Sequence, residues 1–242
     1  MEDIAPKLYE EIDRKFTTDV RADSRLKNIA IKVGKKRATQ KDMEVLSSRL
    51  GIHASDAFRA VLKTERLPDG KLYWNIADRT IKPIMQTIYD SINTLAAGRL
   101  RGADIARHMN IGVITGVDPK AHIETLMGLA TTADTPEALD VVLDKGVKTT
   151  ALDYLDDFNE ANAKARDGLG IKQYVVREYD GVGLNNGKEP CQWCLQREGT
   201  WSYDDALSNG VFERHEGCGC TIEVVPADEM PDDVGNLPDI PF

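Results

Sequence analysis

Residues 191–220 read CQWCLQREGT WSYDDALSNG VFERHEGCGC, and these thirty positions hold all four cysteines of the 242-residue chain. Two tight hooks, Cys191-x2-Cys194 and His215-x2-Cys218, stand twenty residues apart, with Cys220 two positions further on. Zinc takes four thiolate or imidazole ligands in a tetrahedron, and short-spaced pairs separated by a longer loop are how one chain supplies them. Gly217 and Gly219 let the backbone turn tightly around an ion. The spacing predicts a site built from Cys191, Cys194, His215 and Cys218. Cys220 is a fifth candidate, able to replace His215 or Cys218, because residues two apart on a strand point to the same side.

Other uses of the cysteines fit less well. Disulfides are disfavoured because no secretory leader is visible at the acidic N-terminus M-E-D-I-A-P, and thiols in a cytosolic protein stay reduced. A redox C-x-x-C wants a strand before it and a helix from it, whereas Asn185, Asn186, Gly187 and Pro190 spell a loop. Inert buried cysteines would not explain two close pairs flanking a histidine.

On either side of the cysteines the sequence turns β-prone. Residues 173–179 (QYVVREY) and 221–225 (TIEVV) each read as a strand, placing the metal loops between two strands of one small sheet. Such a module buries little core by itself, and a structural zinc, worth about 10–16 kcal/mol in small peptides, is expected to fold it. Beyond it, residues 226–242 carry Asp228, Glu229, Asp232, Asp233 and Asp239 with no basic residue. That composition predicts an extended acidic tail.

Upstream the period is helical. Ile4, Leu8, Ile12 and Phe16 form one apolar stripe, and Ile84, Ile88, Ile92 and Leu95 another, with Pro83 starting or kinking that helix and Gly98 and Gly102 interrupting its end. Asp118-Pro119 and Thr135-Pro136 read as helix starts. A last helix over about 147–166 turns Val147, Ala151, Tyr154, Leu155 and Phe158 inward and stops at Gly168 and Gly170. Residues 39–63 superficially resemble a helix-turn-helix, with a helix ending at Gly51 and a second one capped by Ser55. That second helix offers only Arg59 and Lys63 as cations and no Asn or Gln for base edges, so an ordinary helical hairpin is expected, with His53 at its turn or interface. Pro68, Asp69 and Gly70 mark a boundary. The reading is thus a mainly α (α+β overall) chain. An N-terminal helical segment (1–66) and a helical body (67–170), together elongated, carry a zinc-binding β module (171–225) and the acidic tail (226–242).

Formal net charge is −9, unevenly spread: residues 1–66 carry 15 Lys and Arg against 11 Asp and Glu, and residues 67–242 carry 16 against 29. Whole-chain attraction to nucleic acid is thereby excluded, and only a local patch around Lys32, Lys35, Lys36, Arg37 and Lys41 can make weak DNA contact. No membrane span is visible, which points to the cytoplasm.

The series C-x-W-C, R-E-G-T-W-x-Y, then V-F-E-R-H-E-G-C-G-C-T-I-E resembles the C-terminal pattern of tailed-phage minor head proteins, the head-morphogenesis family. There a C-x-x-C is followed by an H-P-x-C-R-C type box ending in a strand, after a long helical region. Cys191, Cys194, His215, Cys218 and Cys220 match position for position, while Glu216 stands where proline is usual and Gly219 where arginine is common. The resemblance covers about residues 177–225. It implies a non-enzymatic protein of the virion, present in few copies at the portal vertex or capsid interior, made in the host cytoplasm. Its partners would be the portal and major capsid proteins, its task head assembly and DNA packaging or ejection, and its oligomer that of the assembled virion.

Two rivals stand beside that reading. A zinc deaminase would use His122-x-Glu124 as its H-x-E half and Pro190-Cys191-x-x-Cys194 as its P-C-x-x-C half, with Glu124 shuttling protons. It would leave His215, Cys218 and Cys220 without a task, and helix capping already explains His122 and Glu124 as surface residues. A DNA-binding regulator would use residues 39–63. His215-Glu216 lacks the second histidine of H-E-x-x-H, and no phosphate loop, nucleophile elbow or dinucleotide fingerprint occurs. His108, Trp74, Trp193 and Trp201 read as packing residues, with Trp193 covering the metal thiolates.

Overall fold

The computed structural model describes residues 3–179, 191–215, 218 and 220–227. The 185–190 loop, Glu216, Gly217, Gly219 and the acidic tail from Asp228 lie outside the described residues.

Helices dominate, as expected. They are α1 (Ala5–Ala22), α2 (Ser24–Gly34), α3 (Gln40–Val61), α4 (Trp74–Ala106), α5 (Lys120–Thr132), α6 (Pro136–Val141) and α7 (Val147–Asp167), followed by short α8 (Gln192–Leu195) and α9 (Tyr203–Ser208). The apolar stripes do what their period demands: Leu8, Ile12 and Phe16 of α1 are buried, as are Ile84, Ile88 and Ile92 of α4 and Val147, Ala151, Tyr154, Leu155 and Phe158 of α7. Together they belong to one hydrophobic core running from Ala5 to Phe158, so residues before and after the 68–70 turn share it. Thr135 caps α6 through the Ala138 amide, and Asp118 accepts from the Lys120 amide at the start of α5. A π-helical turn over 142–146 joins α6 to α7, a feature no local signal announced.

Three expectations are corrected. Residues 40–61 form one unbroken helix rather than a hairpin. At Gly51 an added Cβ would sit 3.0 Å from both Ala151 Cβ and Lys148 Cα, and the Ser55 hydroxyl donates to Asp144 rather than capping a new helix. The glycine that reads as a stop is the point where α7 crosses. Likewise Gly98 and Gly102 lie inside α4, where their missing side chains admit Val33 and Lys36 of the α2 end. Of the two placements open to it, Pro83 takes the one inside a longer helix, which begins nine residues before it. Finally, Trp74 is 48% exposed and His108 is exposed with φ 57, so neither is a packing residue.

After α7 the chain makes a three-stranded antiparallel sheet in the order β2-β1-β3, from β1 (Gln173–Tyr179), β2 (Gly199–Ser202) and β3 (Cys220–Pro226). The two long strands fall where the sequence placed them; β2 is too short to have shown a period. Register pairs Tyr179 with Cys220 and Arg177 with Ile222. One face buries Val175, Arg177 and Ile222 over a second small core with Ala163, Tyr203, Ala206, Val211 and Phe212.

Candidate metal centre

Cys191 precedes α8 and Cys194 lies within it, so the helical turn folds the two sulfurs back toward each other. Cys220 opens β3, and the Cys218 amide donates to the His215 carbonyl at 3.0 Å. All four cysteines are free thiols. The five residues gather into two triads that share Cys194: Cys191, Cys194 and His215 on one side, and Cys194, Cys218 and Cys220 on the other. His215 Nε2 is 3.2 Å from Cys191 Sγ and 3.0 Å from Cys194 Sγ, and the sulfurs of Cys194 and Cys218 are 3.8 Å apart. Bond lengths of about 2.3 Å to sulfur and about 2.0–2.1 Å to nitrogen imply tetrahedral edges of roughly 3.5–3.8 Å. The Cys194–Cys218 separation meets that value and the two His215 contacts fall short of it by up to about half an ångström, while each triad, rather than the set of five, has its donor atoms all within 4.8 Å of one another.

The four thiols are pulled in opposite directions. Cys218 is brought down to about 4 by its hydrogen bond with Cys220 and then by the charges of Arg214 and Arg177. Its bond with Cys218 and burial push Cys220 up, while burial and the neighbouring Cys218 push Cys194 up to about 11. The Cys194 amide holds the exposed Cys191 thiol below its usual range. Left to themselves, four close thiols share little negative charge; a bound cation is what lets several ionise together.

Two arginines that the sequence reading passed over hold the site. Arg177, fully buried on β1, donates to the carbonyls of Val211 and Glu213 at 2.6 and 2.7 Å and to Cys218 Sγ at 3.3 Å. Arg214, whose side chain is 0% exposed, reaches the Cys220 carbonyl at 2.5 Å, pairs with Glu44 of α3 at 3.1 Å and contacts Asp156 of α7. Glu44 also accepts the Ile222 amide, and Gln40 donates to the Ile222 carbonyl. The loop that carries His215 and Cys218 is thus anchored to the two central helices. The one available signal was a positive charge on the inward face of a strand, where alternation predicts an apolar residue.

Trp193 stands edge-on to the His215 ring at 5.2 Å, with the Arg197 guanidinium 4.0 Å above its own ring. It covers the imidazole side of the cluster, close to its expected place. Trp201 packs partly buried against the second core. His53 lies within α3 and binds Asp23 at 2.8 Å. His122 bonds Asp157 at 2.9 Å and Glu124 stands 3.8 Å from Lys120, so among the described residues neither joins the cysteine cluster. The deaminase constellation is not assembled.

Comparison with protein-family models, with curated proteins and with solved structures finds no match for this chain. No helix among the described residues is long and apolar enough to cross a membrane.

Proposed function

We propose that the chain is a structural minor head protein of a tailed phage, acting in head assembly and in DNA packaging or ejection near the portal, with one structural Zn²⁺ in its C-terminal module. The observation that carries the reading is the convergence of the C-x-x-C and H-x-x-C-x-C hooks, in that chain order, into two donor triads joined at Cys194, between two strands of a sheet docked on a helical body. Zinc suits a donor set of soft thiolates with one imidazole, and Arg177 and Arg214 offset the negative charge of such a site. Cys191, Cys194, His215 and Cys218 are the preferred ligands, since His215 lies against Cys191 and Cys194 and Cys194 lies against Cys218; Cys220 supports Cys218 by hydrogen bonding. With five donors at hand the chain can supply a fourth ligand to either triad, and Glu44 and Asp156 are both engaged by Arg214. The module therefore suits building rather than catalysis, with portal or major capsid protein as its partner and the virion as its destination.

Metal analysis combined with X-ray absorption tests the centre: one zinc per chain with three sulfurs and one nitrogen is expected, retained in Cys220→Ser and lost in Cys194→Ser. A shell with a water ligand would count for catalysis instead. Pull-down of the full chain against portal and major capsid proteins tests the head assignment, which fails if neither is retained.

A further inference from the structure

Residues 21–41 carry eight Lys and Arg against one acidic residue, Asp23, in a chain that is acidic elsewhere. Asp23 does not offset them at the surface. It is buried, caps α2 through the Arg25 and Leu26 amides, and pairs with Arg49 and His53 of α3. With Leu26 and Ile29 turned into the core, α2 shows Arg25, Lys27 and Lys32 to solvent.

The end of α2 then meets the end of α4 at close range. A Cβ on Gly98 would stand 2.8 Å from Val33 Cγ1, and one on Gly102 would stand 3.1 Å from Lys36 Cβ. Only glycine admits this approach. It brings Lys36 against the α4 backbone at Gly102, the residue after Arg101, so that two regions more than sixty residues apart in sequence meet. The acidic residue of this part of α4, Asp104, is again buried, held by both its oxygens to Arg166 at 2.7 Å. Lys35, Lys36, Arg37 and Arg101 are exposed and form no ion pair among the described residues. Lys32 is paired with Asp42 at 2.6 Å and Arg99 with Glu223 at 3.3 Å at the margins.

We infer that the crossing of the α2 and α4 ends is a binding surface for the backbone of double-stranded nucleic acid, engaged through charge rather than sequence. Complementing the dipoles of two helix C-termini needs a cation or two, not four unpaired ones. Charges displayed outward from two helices suit an extended polyanion better than a single phosphate, which would want donors converging from within a cavity. Neither 21–41 nor 99–108 contains a Phe, Tyr or Trp. The surface therefore lacks the stacking platform of a single-strand binder and the aromatic anchors of an interfacial membrane helix. Ile31 and Ile105, each 53% exposed, lie on the same two helices, which makes an anionic lipid surface the competitor to test.

This deepens the DNA contact of the proposed head protein but rests on the charge geometry alone. A chain that binds portal but no DNA would sink this inference and spare the head assignment, and the reverse result would do the opposite. The experiment measures binding of the full chain to a labelled mixed-sequence DNA duplex of about thirty base pairs, across a salt titration. Four neutralised phosphates give a log–log salt slope of about −3.6, hence roughly a hundredfold loss between 50 and 200 mM salt. The triple variant Lys35→Glu, Arg37→Glu, Arg101→Glu should lose at least about tenfold at 50 mM and flatten the slope. A matched variant with the same charge change elsewhere, Lys7→Glu, Lys71→Glu, Lys120→Glu, should stay within about twofold of the parent. Equal losses in both variants, absence of duplex binding at low salt, or tighter binding to phosphatidylserine vesicles than to duplex at equal charge concentration would each overturn the assignment. Circular dichroism checks that both variants remain folded.

Discussion

Arg214 ties three elements together, because its guanidinium meets α3, α7 and β3 at once. Burial disfavours its charge, yet Asp156 and Glu44 beside it raise its pKa well above the ordinary value. Burial pushes the Asp156 carboxyl up, with the guanidinium in contact opposing that rise. Such a triad is a poor source of net stability but a strong determinant of geometry, since removing one member strands the others without a partner. Arg214→Met is accordingly expected to cost about 3–5 kcal/mol in urea unfolding. The triple replacement Arg214→Met, Glu44→Leu, Asp156→Leu should recover most of that. If the triple variant is no more stable than the single one, the loss lies in the Cys220 carbonyl contact rather than in stranded charge.

At the scale of elements, the residues that misled the sequence reading are those that serve tertiary contacts. Gly51 and Ser55 carry a turn signal only if neighbours in sequence are all that matter; in the fold, Gly51 takes the close approach of Lys148 and Ala151 of α7, and Ser55 reaches Asp144. The helix continues through both because packing outweighs a propensity penalty of about 1 kcal/mol. Strands β1 and β3, helix α7 and the cysteine hooks were legible because their information is periodic or compositional and local. The π turn, β2, Arg177 and the α2–α4 crossing were not, since each depends on what lies opposite. The close approach makes a prediction against propensity. Gly51→Ala, normally favourable inside a helix, should destabilise by about 1–2 kcal/mol, because its new methyl meets backbone that has little room to move. Gly128, in α5 with nothing within 4 Å, is the contrasting site, where alanine should stabilise by up to about 1 kcal/mol. Paired chemical-denaturation curves decide both signs.

Over the whole molecule, stability has two sources that respond to different variables. The helical core carries a proton-sensitive cluster: the Asp157 bond raises His122 above 6.5, and burial with neighbouring Asp156 pushes Asp153 up to about 7. A raised histidine contributes stability that is complete below its unfolded pKa and disappears as pH climbs through the folded one. A raised carboxyl likewise favours the fold while protonated, and its cost grows as pH rises from 3.8 toward 7. Asp23 acts oppositely: burial resists its ionisation, but bonds from His53 and Arg49 hold it at about 2, so its contribution is present above 3.8 and fades in stronger acid. Melting temperature should therefore fall from pH 6 to pH 8, and Asp153→Asn should flatten that fall, gaining about 2–4 °C at pH 8 for each kcal/mol relieved. Under the proposed zinc centre, the C-terminal module would respond to metal instead. Its second core is small and separate from the helical one, and the cysteine cluster adds only three buried thiols with Tyr179 and Trp193 packed against them. If zinc is bound there, a strong chelator should abolish the near-ultraviolet signal of Trp193 and Trp201, which lie against that cluster and core, while most of the helical far-ultraviolet signal persists. Loss of both signals together would mean that the Arg214 anchor makes module and helices one cooperative unit. Loss of neither would mean that the sheet stands without an ion, and the structural metal would then have to be abandoned.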